Sequence, residues 1–225
     1  MNKKRLLTLM GGSKKNSLLN GLLAYWKLDE ASGNALDISG NNYTLTQSGN
    51  PLGVVGKVGN ARQLVAASSQ FLYNDTFKFS DTDFTISLWV NITTMTNYVH
   101  ICSNWSALNQ GQFVTYIDTN KVSFGLYSDS GIIGSLVQHT DFGNLSVDTW
   151  YHAVFTRDKT NGKIKNYINT VGTEATANGV IGTSQKFRLG ARETGASGFL
   201  NGIVDEVGIW DRILTTEEIG RLYNA

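Results

Sequence analysis

The chain closes on GIVDEVGIWDRILTTEEIGRLYNA, Gly202–Ala225, and this stretch decides how the rest is read. Its first half alternates. Ile203, Val207 and Ile209 fall in step with Asp205, and Val204 and Trp210 with Glu206, which is the period of a strand with unlike faces. Its second half changes period. Thr215 is the expected N-cap of a helix, Glu218 completes a capping box with it, and Leu214, Ile219 and Leu222 supply apolar contacts. A helix this short does not hold by itself, so it must pack on the sheets. Alternation sends the two carboxylates to opposite faces, Asp205 inward and Glu206 onto the polar side. Carboxylates so placed do not make the pair that glycoside hydrolysis needs, about 5–9 Å apart across one cleft.

The same period of two runs outward from this stretch. Leu22, Ala24, Trp26 and Leu28 share one face of a strand. Phe84, Ile86, Leu88, Val90 and Ile92 alternate with Thr85, Ser87, Trp89 and Asn91. Further strands are expected at 98–103, 111–118, 121–127, 131–138, 150–157, 163–170, 185–190 and 199–210. Turns fall at Asp118–Lys121 and at Asp158–Lys163, the latter containing Asn161-Gly162. No long helical pattern crosses the middle of the chain, and the one proline, Pro51, marks no linker. Many short strands separated by Gly, Asn, Asp and Ser predict an all-β chain of two packed antiparallel sheets, with one main domain over residues 21–225.

Charge excludes several classes of function. Nineteen Lys and Arg against 18 Asp and Glu leave a formal charge of +1, so no global field draws nucleic acid. Basic and aromatic residues are not interleaved as single-strand binding requires. No stretch approaches the roughly 18 apolar residues of a membrane-spanning helix. Cys102 is the single cysteine, which excludes an intrachain disulfide, and its apolar surroundings predict a buried thiol. Residues 1–20 form an arm outside the domain. Its basic start imitates a signal peptide, but the apolar run Leu6–Met10 is too short, and Lys14 and Lys15 follow it. The arm is either a tail or a docking segment in which Leu6, Leu7, Leu9 and Met10 fold against a protein partner in a larger assembly.

Four segments in order carry a family pattern: GLLAYWKLDEASGNALDISGNNYTLT (21–46), FTISLWVNI (84–92), TWYHAVFTRDKTNGKIKNYINT (149–170) and the closing stretch. Together they resemble the concanavalin A-like jelly rolls, in particular the laminin-G-like domains of bacterial and phage surface proteins. The resemblance implies a two-sheet antiparallel jelly-roll sandwich with a short C-terminal helix, and packing positions for Trp26, Trp89, Trp150 and Trp210. It carries lectins, glycan hydrolases, adhesion modules and structural domains alike. Glucanases of this superfamily place acids along one strand as Glu-x-Asp-x-x-Glu. This chain has no such run, since Asp81-Thr82-Asp83-Phe84 precedes its strand and lacks the third acid. One departure from the pattern is a turn of Asn169, Thr170, Val171 and Gly172 where such domains often carry Asp-Gly.

Three sets of candidate residues follow. An inward Asp205 either accepts bonds from backbone amides near the first strand or ligates a structural calcium, which takes six to eight oxygens. The loop ALDISGNN (35–42) offers oxygens, and related domains often tie this loop to the late strand through calcium. The expected ligands are therefore Asp37, Asn41 and Asp205. Trp105, in NWSALNQGQF, either anchors its loop or makes a sugar platform with Asn104, Asn109 and Gln110, with Tyr98 and Tyr127 as lesser candidates. His100 and His152 fall in apolar strand patterns and are expected to pack, and no histidine spacing fits zinc. The functional expectation is a non-catalytic structural or decoration module on a phage virion or bacterial surface, anchored by its arm. The alternative is a carbohydrate-binding adhesion protein that recognises host-surface glycans. Catalysis, nucleic acid and membrane partners are not expected.

Overall fold

The computed structural model describes residues 17–77, 79–96, 98–104, 113–118, 120–128, 131–132, 137–138, 145–182, 186–192 and 197–225. Their strands, numbered in chain order, build two antiparallel sheets of eight strands each. The first runs β14 (Val171–Thr176), β13 (Lys163–Ile168), β12 (Trp150–Asp158), β6 (Phe84–Ile92), β16 (Gly202–Trp210), β4 (Asn60–Leu64), β3 (Gly53–Val55), and β1 (Leu22–Trp26) also pairs with β16. The second runs β10 (Gly131–Ile132), β9 (Lys121–Ser128), β8 (Phe113–Asp118), β7 (Val99–Ser103), β15 (Phe187–Leu189), β5 (Phe71–Asn74), β2 (Thr46–Ser48), with β11 (Val137–Gln138) also on β9. This is the two-sheet antiparallel sandwich that the alternation predicts, in the jelly-roll form that the resemblance implies. Alternation does not announce β2 to β5, which have three to five residues each, too few to show a period, nor the six-residue edge strand β14, whose sequence VGTEAT has no clear apolar face.

The core lies between the sheets. Phe84, Ile86, Leu88, Val90 and Ile92 of β6 all enter it, as their spacing requires. Trp26 stacks on Phe187 with centroids 5.4 Å apart, and Phe79 contacts Phe84 and Phe113 at 5.0 and 4.9 Å. The indole of Trp26 donates to the Tyr43 carbonyl at 2.7 Å, so its burial leaves no orphaned N–H. Cys102 is buried, and burial pushes its thiol up to about 12.

The helix α1 (Thr216–Tyr223) forms with its capping box. The Glu218 amide donates to Thr215 Oγ1 at 3.2 Å, and the Thr215 amide donates to the Glu218 carboxylate at 2.9 Å. Leu214 and Ile219 pack with Leu18, Tyr25, Val154, Tyr167 and Trp210 on the outer face of the first sheet. On the same face the Ser87 hydroxyl and His152 Nε2 lie 2.8 Å apart, and Trp89 stacks on Tyr223 at 5.5 Å. The domain begins earlier than residue 21. Trp210 Nε1 donates to the Leu18 carbonyl at 2.7 Å, and Arg212 Nε donates to the Asn20 carbonyl at 2.8 Å. These bonds fix residues 17–20, expected as part of the arm, to the sheet. Leu6, Leu7, Leu9 and Met10 lie outside the described residues.

Strict alternation fails at one place in the closing strand. Gly202–Val204 pair with Leu64–Arg62 of β4, and Val207–Trp210 pair with Trp26–Leu22 of β1. Asp205 and Glu206 occupy the point where β16 changes its edge partner. The register against β6 shifts between Asp205 and Gly208, and Glu206 takes φ 48°. This bulge puts Val204, Val207 and Ile209 together in the core. Both carboxylates therefore leave the core side, and both are buried elsewhere. Glu206, expected on an ordinary polar face, is only 8% exposed and accepts the Tyr25 hydroxyl at 2.5 Å.

Candidate functional site

Alternation in the second sheet leaves one face outside the core. In β8, Phe113 and Ile117 pack inward while Val114 and Tyr116 turn outward. In β9, Val122, Phe124 and Leu126 pack inward and Tyr127 turns outward. Strand register sets Tyr116 opposite His100 of β7 and opposite Ser123 of β9. Tyr98, just before β7, stacks on Tyr116 with centroids 5.9 Å apart and planes 26° from parallel. The result is a depression lined by Tyr98, His100, Val114, Tyr116, Tyr127 and Arg192. A second shares Tyr98, His100 and Arg192 and continues past Thr96, Ser197 and Phe199.

Backbone geometry holds these walls in place. Tyr98 sits at φ 61°, a region a bulky residue rarely adopts, and the residue is 64% exposed. The Tyr98 amide is held by the Ile117 carbonyl at 2.8 Å. On the other wall, Gly198 has φ 66°, and a Cβ there would fall 2.5 Å from His100 Cδ2. Only glycine lets this segment lie against the imidazole, whose backbone amide donates to the Gly198 carbonyl at 2.9 Å.

The groove is aromatic, uncharged over most of its lining, and positive at one point. Burial, with the Arg192 charge, lowers His100 to about 4, so the ring is neutral at ordinary pH. Burial raises the Tyr127 phenol while Arg192 pulls it back. Burial likewise raises Tyr116. Arg192 therefore acts on two walls of the groove at once. No Asp or Glu lines either depression among the described residues. Rings that present a face beside neutral hydrogen-bonding groups can stack on sugars and fix their hydroxyls. The pair of carboxylates that glycoside hydrolysis needs is missing from the described lining.

The sequence candidates are distributed differently from expectation. Tyr98 and Tyr127 meet in this groove. His100, expected only to pack, lines both depressions, while His152 does pack, beneath Tyr223. Asn104 is fully buried, which takes it off any surface platform, and its backbone N–H donates to the Phe113 carbonyl at 3.2 Å. Trp105, Asn109 and Gln110 lie outside the described residues. Tyr116, Val114 and Arg192 were not singled out by sequence. The alternation of FVTYID marks the first two as a face, but nothing local distinguishes an outward ring from an inward one.

The three expected calcium ligands have different hydrogen-bond surroundings. Asp37 Oδ1 accepts the amides of Tyr25 and Ser39 at 3.1 and 2.8 Å, and Oδ2 accepts the Tyr43 amide and Ser39 hydroxyl, both at 2.9 Å. Its lone pairs are thus committed to closing the 35–43 loop onto β1. Asn41 Nδ2 donates to the carbonyls of Leu22 and Leu23 at 3.1 and 2.9 Å. Asp205 Oδ2 instead accepts the Val58 amide at 2.9 Å, in the turn between β3 and β4. Among the described residues no group of three or more His, Cys, Asp or Glu is placed to hold a metal.

Several solved structures share this architecture. The fourth domain of AbnA, a GH43 extracellular arabinanase from Geobacillus stearothermophilus solved with arabinotriose, is 21% identical with a TM-score of 0.67; the match covers 90% of this chain and 98% of that one. The binding domain of botulinum neurotoxin serotype D is 15% identical with a TM-score of 0.72, over 92% of this chain and 52% of that one. The binding domain of Paraclostridial Mosquitocidal Protein 1 is 18% identical with a TM-score of 0.70, over 92% and 53%. The chain thus spans about half the length of the two toxin domains. At these identities the likeness establishes the fold. No curated protein matches the chain. The family model for laminin-G-type domains matches residues 65–220, most of both sheets and the start of α1, and the chain belongs to the concanavalin A-like lectin/glucanases superfamily.

Proposed function

We propose that this chain is a non-catalytic, lectin-like binding module that takes an oligosaccharide on the outer face of its second sheet. The observation that carries the reading is the double depression walled by Tyr98, His100, Tyr116 and Tyr127, with no described carboxylate in its lining. It is supported by the arabinotriose bound to the AbnA domain and by the binding domains of two toxins that share the fold. Such a module works outside the cell, where glycans are met. The test is a glycan array probed with the wild-type chain and with Tyr98→Ala and Tyr116→Ala. Each substitution is expected to weaken binding about fivefold or more, since a stacking ring contributes on the order of 1 kcal/mol or more. Full binding by both variants, with unchanged melting temperatures, would remove the groove from the site.

A display role is a second reading, favoured by one relationship. Leu18 is held against the outer face of the first sheet, whereas the groove opens on the second. An arm rooted there can attach the module to a phage virion or bacterial surface with its groove turned away. Deleting residues 1–16 is the test: incorporation into the particle is lost and glycan binding is kept. Normal incorporation would remove the arm as an anchor.

A further inference from the structure

We infer that Tyr98 is a pre-set stacking residue, its ring fixed for a sugar before any ligand arrives and held there at a cost to the stability of the fold. The inference rests on the binding reading above and says how that site is prepared. A left-handed backbone crowds the Cβ of an L residue against the following carbonyl oxygen, so such positions go to Gly, Asn or Asp unless something else repays the strain. Outside glycine, the described left-handed positions are Asn, Asp or Ser except at Leu28, Tyr98, Thr170 and Glu206.

The fold accounts for three of these exceptions. Leu28 is fully buried in the core between the sheets. Glu206 is buried at the bulge and accepts the Tyr25 hydroxyl. Thr170 shares a two-residue hairpin turn with Asn169, where both positions take that hand. Tyr98 is different. It is the one aromatic among the exposed large hydrophobic residues described. Stacking on Tyr116 covers part of its ring and repays part of the strain, but the rest is apolar surface left in water. That surface lines both depressions.

The conformation is held from two sides. The Ile117 carbonyl takes the Tyr98 amide at 2.8 Å. Gly198 lies so close that a Cβ there would be 3.1 Å from the Tyr98 carbonyl oxygen. Strain and exposure thus meet in one residue, and the fold gains from neither. Strain kept in place by its surroundings marks positions where function outweighs stability. A ring already set in position also gives up less freedom when a ligand stacks on it. A wall that merely packs supports fold and site together, so its loss lowers both. Loss of a ring held against the fold raises stability and lowers binding.

The experiment uses the full chain, with melting temperature and binding to a glycan array that includes arabinotriose as its two readouts. Tyr98→Asn suits a left-handed backbone and is expected to melt about 2–4 °C above wild type, while its binding falls about fivefold or more. Tyr98→Gly moves both readouts in the same directions, with a smaller rise in melting temperature because glycine frees the unfolded chain, and it serves if the asparagine variant does not fold. Tyr98→Phe keeps ring and strain and leaves both readouts at wild-type values, since stacking uses the face of the ring. A melting temperature that falls in the asparagine and glycine variants would show that the ring supports the fold and would overturn the inference. Glycan binding by these two variants at wild-type strength would overturn it as well. Either result leaves oligosaccharide binding by the wild type in place. A wild-type chain that binds nothing on the array overturns the binding reading, and this inference with it.

Discussion

The Tyr25 hydroxyl donates to Glu206 across 181 positions of sequence, at 2.5 Å, beneath the closing helix. Burial, and then the Glu206 charge, raise the Tyr25 phenol well above its ordinary range, so it stays protonated and remains a donor. Tyr25→Phe removes this donor from a buried carboxylate. The expected cost is about 1–3 kcal/mol. In a domain of this size that lowers the melting temperature by about 2–4 °C per kcal/mol. Calorimetry of the variant checks it, and an unchanged transition would show that the bond contributes nothing net.

Asp205 is fully buried, and burial raises its carboxyl to about 7 although the Val58 amide opposes the shift. The sign follows from linkage. A folded-state value above the unfolded one means that ionisation costs folding free energy, so the contribution is most favourable below about pH 4 and is lost as pH rises through 7. Asparagine keeps an acceptor for Val58 without the charge. The melting temperature of Asp205→Asn relative to wild type is therefore expected to climb between pH 4 and pH 7 and then level off. A difference that stays flat over that range would contradict the buried, titrating carboxyl.

The Asp37 carboxylate is fully engaged inside its own loop. All four donors on its carboxylate are internal, three of them backbone amides. Melting temperatures in calcium and in chelator are expected to coincide, and Asp37→Ala is expected to cost about 1–3 kcal/mol through orphaned amides. A rise with calcium would show that the loop rearranges to free these oxygens for a metal.

The turn between β13 and β14 is the place where a substitution should stabilise. Ile168 pairs with Val171, and the two residues between them, Asn169 and Thr170, sit at φ 50° and 75°. A two-residue turn of this hand suits Asn-Gly, and a β-branched residue is strained there. Thr170→Gly is expected to gain about 1 kcal/mol. A lower melting temperature would show that unfolded-state entropy outweighs the relief of strain.

Much of this fold is legible one residue at a time. The core face of β6, the capping box at Thr215 and Glu218, and the buried thiol of Cys102 all follow from local periodicity and side-chain chemistry. Tertiary structure decided two things. The first is the bulge at Asp205 and Glu206, because it arises where β16 passes from β4 to β1, and no local pattern records which strand lies alongside. The second is the groove, because its walls come from before β7, from β7, β8 and β9, and from Arg192 after β15. Alternation shows that Tyr98, Tyr116 and Tyr127 each have an inward or an outward choice. Only sheet register, set by the packing of the whole sandwich, brings their outward faces to one place.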